Sequence, residues 1–237
     1  GYAREYRIFA LVNSHKGFVM KVTLREILVS TLVLLILCSV AGSLTYYGIR
    51  PLSTTVLGDY HVLLDFLLCL ICFGLLSALC LRTLLFFRPF ISEQNATSEA
   101  MFAYFKFLWV FEYFGQLALN PVTIHTTKPL VLRLFGARIG SNTTVAGEID
   151  CPYLITIGDN CILGNGSLVS GSIFSNGGGR FGQVSIDEGS TIGAHVVIFP
   201  SVKIGKAVIL AVGSVVPEGA VIPDGETWRG NPARKWL

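Results

Sequence analysis

Charge is what this sequence has little of. Asp, Glu, Lys and Arg make up 14% of its 237 residues, against 52% hydrophobic residues and a mean hydropathy of +0.62. That balance excludes an ordinary water-soluble domain, in which about 25% of residues are charged, and implies a membrane part. The net charge of +3 is too small to argue for nucleic acid, and the C-terminal half lacks a basic stripe with interleaved aromatics. Histidine is scarce as well. Of the four in the chain only His195 falls within 136–237, whereas a zinc ion takes about three to four protein ligands. No Gly-Lys-Ser/Thr follows Gly177-Gly178-Gly179, so that glycine run is not a phosphate loop. Cys38, Cys69, Cys72 and Cys80 lie in apolar runs, and Cys151 and Cys161 do not complete a recognisable metal site. All six are expected to be packed thiols rather than disulfides or metal ligands.

The few charges are unevenly spread. Residues 1–135 carry eleven Lys/Arg against seven Asp/Glu, and the rest is close to neutral. Residues 1–25 mix Arg4, Arg7, Lys16, Lys21 and Arg25 with aromatics, as a segment approaching a membrane surface would. The chain opens on Gly1 rather than Met, which points to a processed or truncated start, and no cleaved signal peptide is evident. Within 26–90, the run from Ile27 to Tyr47 is almost wholly apolar, long enough at about 1.5 Å per residue to cross a hydrocarbon core of about 30 Å. A second run, Val62 to Phe87, follows a short connector containing Pro51, with Asp65 and Arg82 near its ends, within reach of headgroups. A two-helix membrane hairpin is expected. Its flanks hold more positive charge than its connector, so both ends, and the C-terminal half, belong on the cytoplasmic or equivalent side.

Residues 91–135 read as an aromatic helix over about Ser98–Leu119, lying in the membrane interface and ended by Asn120-Pro121, and then a short lead-in from Lys128 to Phe135. Asn95, Asn142 and Asn165 begin glycosylation triplets, which the expected topology leaves unmodified.

From Gly136 onward an aliphatic residue returns every sixth position. The anchors are Ile139, Val145, Cys151, Ile157, Leu163 and Val169, then Ile186, Ile192, Ile198, Ile204, Leu210, Val216 and Ile222. A period of six suits no α-helix, but it suits a parallel β-helix in which each hexad gives a short strand and a corner. The phase slips between Val169 and Ile186, across Ser175–Gly182, which reads as a loop thrown out of the coil wall.

This register resembles the hexapeptide-repeat acyltransferase family over about Gly136–Leu237, and Gly230-Asn231-Pro232-Ala233 resembles that family's closing signature. The resemblance implies a left-handed parallel β-helix, trimeric assembly and acyl-CoA as donor, with no metal. Two spans, an aromatic segment and the lead-in to the hexads are similar to the membrane-anchored C-terminal domains of epsilon-poly-L-lysine synthetase-type proteins. There several such units follow one another, so either a homotrimer or a pseudo-trimer with related domains is implied. The fold class expected is thus a membrane α-helical hairpin plus a left-handed β-helix, with membrane lipid as a partner.

The family's chemistry is acyl transfer from CoA or another thioester to a hydroxyl or amine, commonly with a His as general base. His195, three places after an anchor, is the candidate base or else an exposed wall residue; His15, His61 and His125 read as interfacial or surface residues. The subgroup has a His where this chain has Ser172, which leaves Ser172 to orient an acceptor, with Arg180 on the loop for a phosphate or carboxylate. Gly213, Asn231, Arg234 and Lys235 fall near the donor by the same resemblance. The departure at Ser172 keeps a second reading open, a non-catalytic structural subunit of a larger membrane complex.

Overall fold

A computed structural model of the chain describes residues 23–90, 99–124, 126–175 and 178–236. His15, Asn95, His125 and nearly all of the N-terminal surface segment lie outside the described residues.

Helix runs without a gap from Leu24 to Phe87: α1 (Leu24–Ser43), a π-helical turn (Leu44–Ile49), α2 (Arg50–Leu57), a 3-10 turn (Gly58–Tyr60) and α3 (His61–Phe87). Thr23 and Glu26 form a capping box at its start. Pro51 sits in the first turn of α2, where a missing N–H breaks no helical bond. The connector containing Pro51 is therefore helical, and the chain turns at Gly58, which takes φ 54°. The stretch is long and apolar enough to cross a membrane. Its apolar surface is mostly uncovered: Leu28, Leu32, Leu35, Phe66 and Leu79 are all exposed. Asp65 accepts a hydrogen bond from the Ser53 hydroxyl, and Arg82 donates to the carbonyls of Arg133 and Leu134. Both side chains thus have partners inside the protein.

Helix α4 (Glu99–Leu119) packs against α3, where Gly74 and Gly115 let the two approach; a Cβ at Gly74 would collide with Leu119. Phe105, Leu108, Phe111 and Glu112 are buried, while Trp109 and Tyr113 are exposed and stack on each other. The aromatic content of this segment therefore serves two surfaces, one of them internal. A short helix, α5 (Lys128–Leu134), leads into the repeat, its end fixed by Arg82.

The repeat forms a left-handed parallel β-helix with three faces. Face one stacks β1 (Arg138–Ile139), β4 (Ile155–Ile157), β9 (Val184–Ile186), β12 (Lys203–Ile204) and β15 (Val221–Ile222). Face two stacks β2 (Thr144–Val145), β5 (Ile162–Leu163), β10 (Thr191–Ile192), β13 (Ile209–Leu210) and β16 (Thr227–Arg229), closed by antiparallel β17 (Arg234–Lys235). Face three stacks β3 (Glu148–Asp150), β6 (Leu168–Ser170), β11 (Val197–Ile198) and β14 (Val215–Val216).

The anchors fill the interior: Ile186, Ile192, Ile198, Ile204 and Leu210 are at most 1% exposed. Each contributes roughly 1.5–3 kcal/mol relative to exposure. Ser190, Val196, Val202, Val208 and Ser214, four places after successive anchors, are also fully buried, so each hexad turns two side chains inward. The third place after an anchor is the corner, and its backbone takes positive φ at Asn142, Asn160, Gly166, Gly189, His195, Ser201, Ala207, Gly213, Gly219 and Gly225.

Two details of the repeat differ from the sequence reading. In the first coil the buried face-three residue is Ile149, paired with Val169, whereas Cys151 is buried at a left-handed bend beyond the strand. The slip after Val169 is an insertion. Ile157 pairs with Ile186 and Val169 with Ile198, each twenty-nine residues on rather than eighteen, so one coil carries eleven extra residues. They form a hairpin, β7 (Ser172–Ser175) and β8 (Gly178–Phe181), closed at its base by Gly182 N–H donating to Gly171 O at 2.9 Å. Phe174 and Phe181 pack on Phe105 at ring-centroid distances of 5.4 and 4.7 Å, which fastens the hairpin to α4.

Candidate functional site

Face three carries candidate residues on both of its edges. On the edge where the chain enters from face two, His195 and Gly213 are successive corners, with Gly213 N–H donating to Ala194 O at 2.9 Å. The His195 ring lies over Gly166 on the preceding coil, so near that a Cβ there would be 2.5 Å from Nδ1. Gly166 is needed for that ring position as well as for its own φ of 67°. A Cβ on Gly213 would meet nothing within 4 Å, so this corner opens outward. The turn through Asn231 and Pro232 closes beside it, Gly230 O accepting from Val215 N–H and Ala233 N–H donating to Val215 O.

His195 and Asn231 are exposed, and among the described residues no side chain hydrogen-bonds the His195 ring. Arg234 and Lys235 are exposed on β17, with Lys235 Nζ 2.7 Å from Glu226 Oε1. The edge thus offers an exposed imidazole, a close-approach glycine and cations. Its donor set suits an extended anionic molecule laid along it.

The opposite edge carries Ser172 and Arg180 at the hairpin. Leu168 pairs with Val197, which sets Ser172 level with Ser201, six residues beyond His195 and at most about 20 Å away at about 3.3 Å per residue. Among the described residues Ser172 and Arg180 are engaged by other partners than His195. Arg180 is paired with Glu218 at 2.9 Å, and Ser172 is only 7% exposed, its hydroxyl donating to Asp150 Oδ2 at 2.7 Å.

That serine leads to a cluster the sequence did not announce. Ser170 Oγ also lies 2.8 Å from Asp150 Oδ2. Next to Asp150, the Cys151 N–H donates to Glu112 Oε1 at 3.2 Å, which ties α4 to the first coil. Glu112 is 4% exposed and its Oε2 is buried without a partner. Burial, and then the Asp150 charge, hold its carboxyl well above the usual carboxylate range. Burial also pushes up the Cys151 thiol and the Tyr153 hydroxyl, with Glu112 and Asp150 adding to both. Cys151 is accordingly an unreactive thiol. A cavity of about 390 Å³ opens beside the cluster, with Trp109, Glu112, Gln116, Lys128, Glu148 and Asp150 in its wall. The available signal was Glu112 itself, an acid on an aromatic helix with no Lys or Arg three or four places away.

No family model matches the chain. It is 32% identical over 101 residues to a putative acetyltransferase, YvoF, of Bacillus subtilis, covering 41% of this chain and 58% of that protein. It is 27% identical over 107 residues to the delta-poly-L-ornithine synthetase of Acinetobacter baumannii, 45% of this chain and 8% of the synthetase. A mitochondrial gamma carbonic anhydrase 2 of Arabidopsis thaliana is 28% identical over 94 residues, 40% of this chain and 28% of that one. The chain thus spans between about a twelfth and three fifths of these relatives. Among solved structures, the hexapeptide-repeat acetyltransferase VCA0836 of Vibrio cholerae, complexed with acetyl coenzyme A, is similar at 19% identity and TM-score 0.41, covering 51% of this chain and 81% of that one. With its six-residue anchors stacked in parallel coils, residues 136–237 are similar to the repeat of acetyltransferase-type relatives such as YvoF.

Proposed function

We propose that this protein is a membrane-anchored acyltransferase that moves an acyl group from CoA or another thioester to a hydroxyl or amine. The observation that carries this reading is the shared edge of face three, where His195, Gly213 and the Asn231 turn lie together. A thioester laid along that edge meets no side chain at Gly213, and Arg234 and Lys235 supply positive charge for donor phosphates. His195 then removes the acceptor's proton as the acyl carbon is attacked, a backbone N–H holds the developing oxyanion, and the C–S bond breaks as the thiolate leaves and takes the proton from the imidazolium.

His195 needs a group to orient its ring, and among the described residues no side chain on that edge hydrogen-bonds it. A neighbouring copy, or a related domain in a pseudo-trimer, fills that role by setting its hairpin edge, with Ser172 and Arg180, against the His195 edge. Arg180 reaches an acceptor carboxylate or phosphate by exchanging Glu218 for it. In this arrangement α1 and α3 form the membrane hairpin of 26–90, 91–135 lies at the membrane interface, and the β-helix of 136–237 stands on the cytoplasmic side. The uncovered leucines and phenylalanines of α1–α3 support lipid as their partner.

A specific observation favours a second reading. The position at which the resembled subgroup has a His is a buried serine engaged by Asp150, as suits a non-catalytic structural subunit. Calorimetry of acyl-CoA with the full chain in detergent, alongside His195→Ala, separates the two. Saturable binding with transfer lost in the variant supports the enzyme. No binding at millimolar ligand by a folded oligomer, or transfer unchanged in His195→Ala, overturns it.

A further inference from the structure

We propose that the cavity between α4 and the first coil is a binding site for an organic primary ammonium group, seated between Glu112, Asp150 and the Trp109 ring. The site is independent of acyl transfer and requires no donor.

Three features of the cavity point to a cation. Its wall holds three carboxyl groups, Glu112, Glu148 and Asp150, against one cation, Lys128, whose ammonium is already engaged by Gly147 O at 2.6 Å. Glu112 Oε2 is buried with no partner, and an unpaired buried polar atom carries a desolvation cost that an entering donor removes. The exposed Trp109 ring, backed by Tyr113 at a centroid distance of 4.8 Å and 16° between planes, supplies a π face at the mouth. Gln116 and Asn120 add amides that can bond a polar tail.

An ammonium group fits where other ligands do not. Its three N–H donors match the unpaired Glu112 oxygen and the carboxylate of Asp150. A phosphate or carboxylate would meet three acids. An alcohol could bond Glu112 but would bring no charge to offset Asp150 and Glu148. Among the described residues no group of His, Cys, Asp or Glu is arranged to hold a metal ion, so the three acids do not converge as ligands.

Burial and the facing Asp150 outweigh the N–H of Cys151 and hold the Glu112 carboxyl well above the usual carboxylate range. The other titratable groups around the site are Tyr113 on α4, Cys151 and Tyr153 beyond β3, Glu148 on β3 and Lys128 on α5. A bound cation offsets Asp150 and favours the ionised form of Glu112, so binding releases a proton. Glu112 joins a helix of the membrane-associated half to Cys151 of the β-helix, so the ligand would also brace that joint.

The test uses the full chain in detergent and the matched probes n-butylammonium chloride and n-butanol, which share a tail and differ in the charged head. Titration calorimetry in two buffers of different ionisation enthalpy should show saturable binding of butylammonium with proton release, and none of butanol. Affinity should rise with pH above the ordinary carboxylate range, as Glu112 ionises. Glu112→Gln keeps the shape and should weaken binding at least about tenfold and abolish proton release; Asp150→Asn should also weaken it. Unchanged melting curves would show that the variants fold, and a variant that melts early is replaced by Trp109→Leu, expected to lose affinity. Equal binding of butanol, equal affinity in Glu112→Gln, or saturable binding of calcium ion with no response to butylammonium would overturn the proposal. Absence of acyl-CoA binding would leave it standing.

Discussion

Ser172 and Asp150, twenty-two residues apart, meet at 2.7 Å where the inserted hairpin leaves the coil. The hydroxyl donates to a carboxylate, a kind of bond that contributes about 1.5–3 kcal/mol, and Ser170 shares the same oxygen. Ser172→Ala should therefore lower stability by about 1–2 kcal/mol, with Ser170 still satisfying Asp150. Thermal melts read that loss. A hairpin held only by its aromatic contacts would show no change.

His195 occupies a left-handed corner at φ 55°, a conformation that costs a non-glycine residue about 1–2 kcal/mol. His195→Gly should thus leave the melting temperature unchanged or raised, while acyl transfer falls about 10²–10⁴-fold if the imidazole is the base. Gly166→Ala should displace the ring and force φ strain at once, lowering both stability and turnover. Turnover unaltered in His195→Gly would remove the imidazole from the mechanism.

Glu112 makes stability depend on pH. Its folded pKa lies well above the ordinary 4.5, so the folded chain holds a proton that the unfolded chain gives up. Its stabilising contribution is full below about pH 4.5 and is lost as pH rises through the folded value. Urea midpoints of wild type should accordingly fall with rising pH above the ordinary carboxylate range. In Glu112→Gln that part of the slope should vanish.

Ile198 is fully buried in the middle of face three, between Val169 and Val216. Ile198→Ala should cost about 2–5 kcal/mol, since stacked coils collapse poorly around a void. Val221→Ala, exposed on face one, should change stability by less than about 0.5 kcal/mol. Denaturant titration of both tests whether the anchors carry the stack.

Six-residue spacing made the β-helix legible, because each anchor reports its own burial and the next one confirms the phase. The same spacing put His195 three places after an anchor, whereas Gly213 was singled out only through the family resemblance. Coil one was misread at Cys151, because a left-handed bend there puts a small apolar side chain inside without a strand. The slip after Val169 gave only a remainder, seventeen residues, which is one hexad and an insertion of eleven. Glu112 and Asp150 could not be paired from sequence, since nothing local links a residue of a helix to a strand thirty-eight places on. The packing of α4 on the β-helix puts them together, and that packing has no repeat to announce it.

The hairpin enters and leaves through one gap, sealed where Gly182 bonds Gly171, while Val169 and Ile198 stack as if nothing lay between them. The coil therefore treats those eleven residues as a detachable cassette: their length and composition can change without re-threading any rung. Recognition at that edge can be rewritten while the scaffold beneath keeps its register.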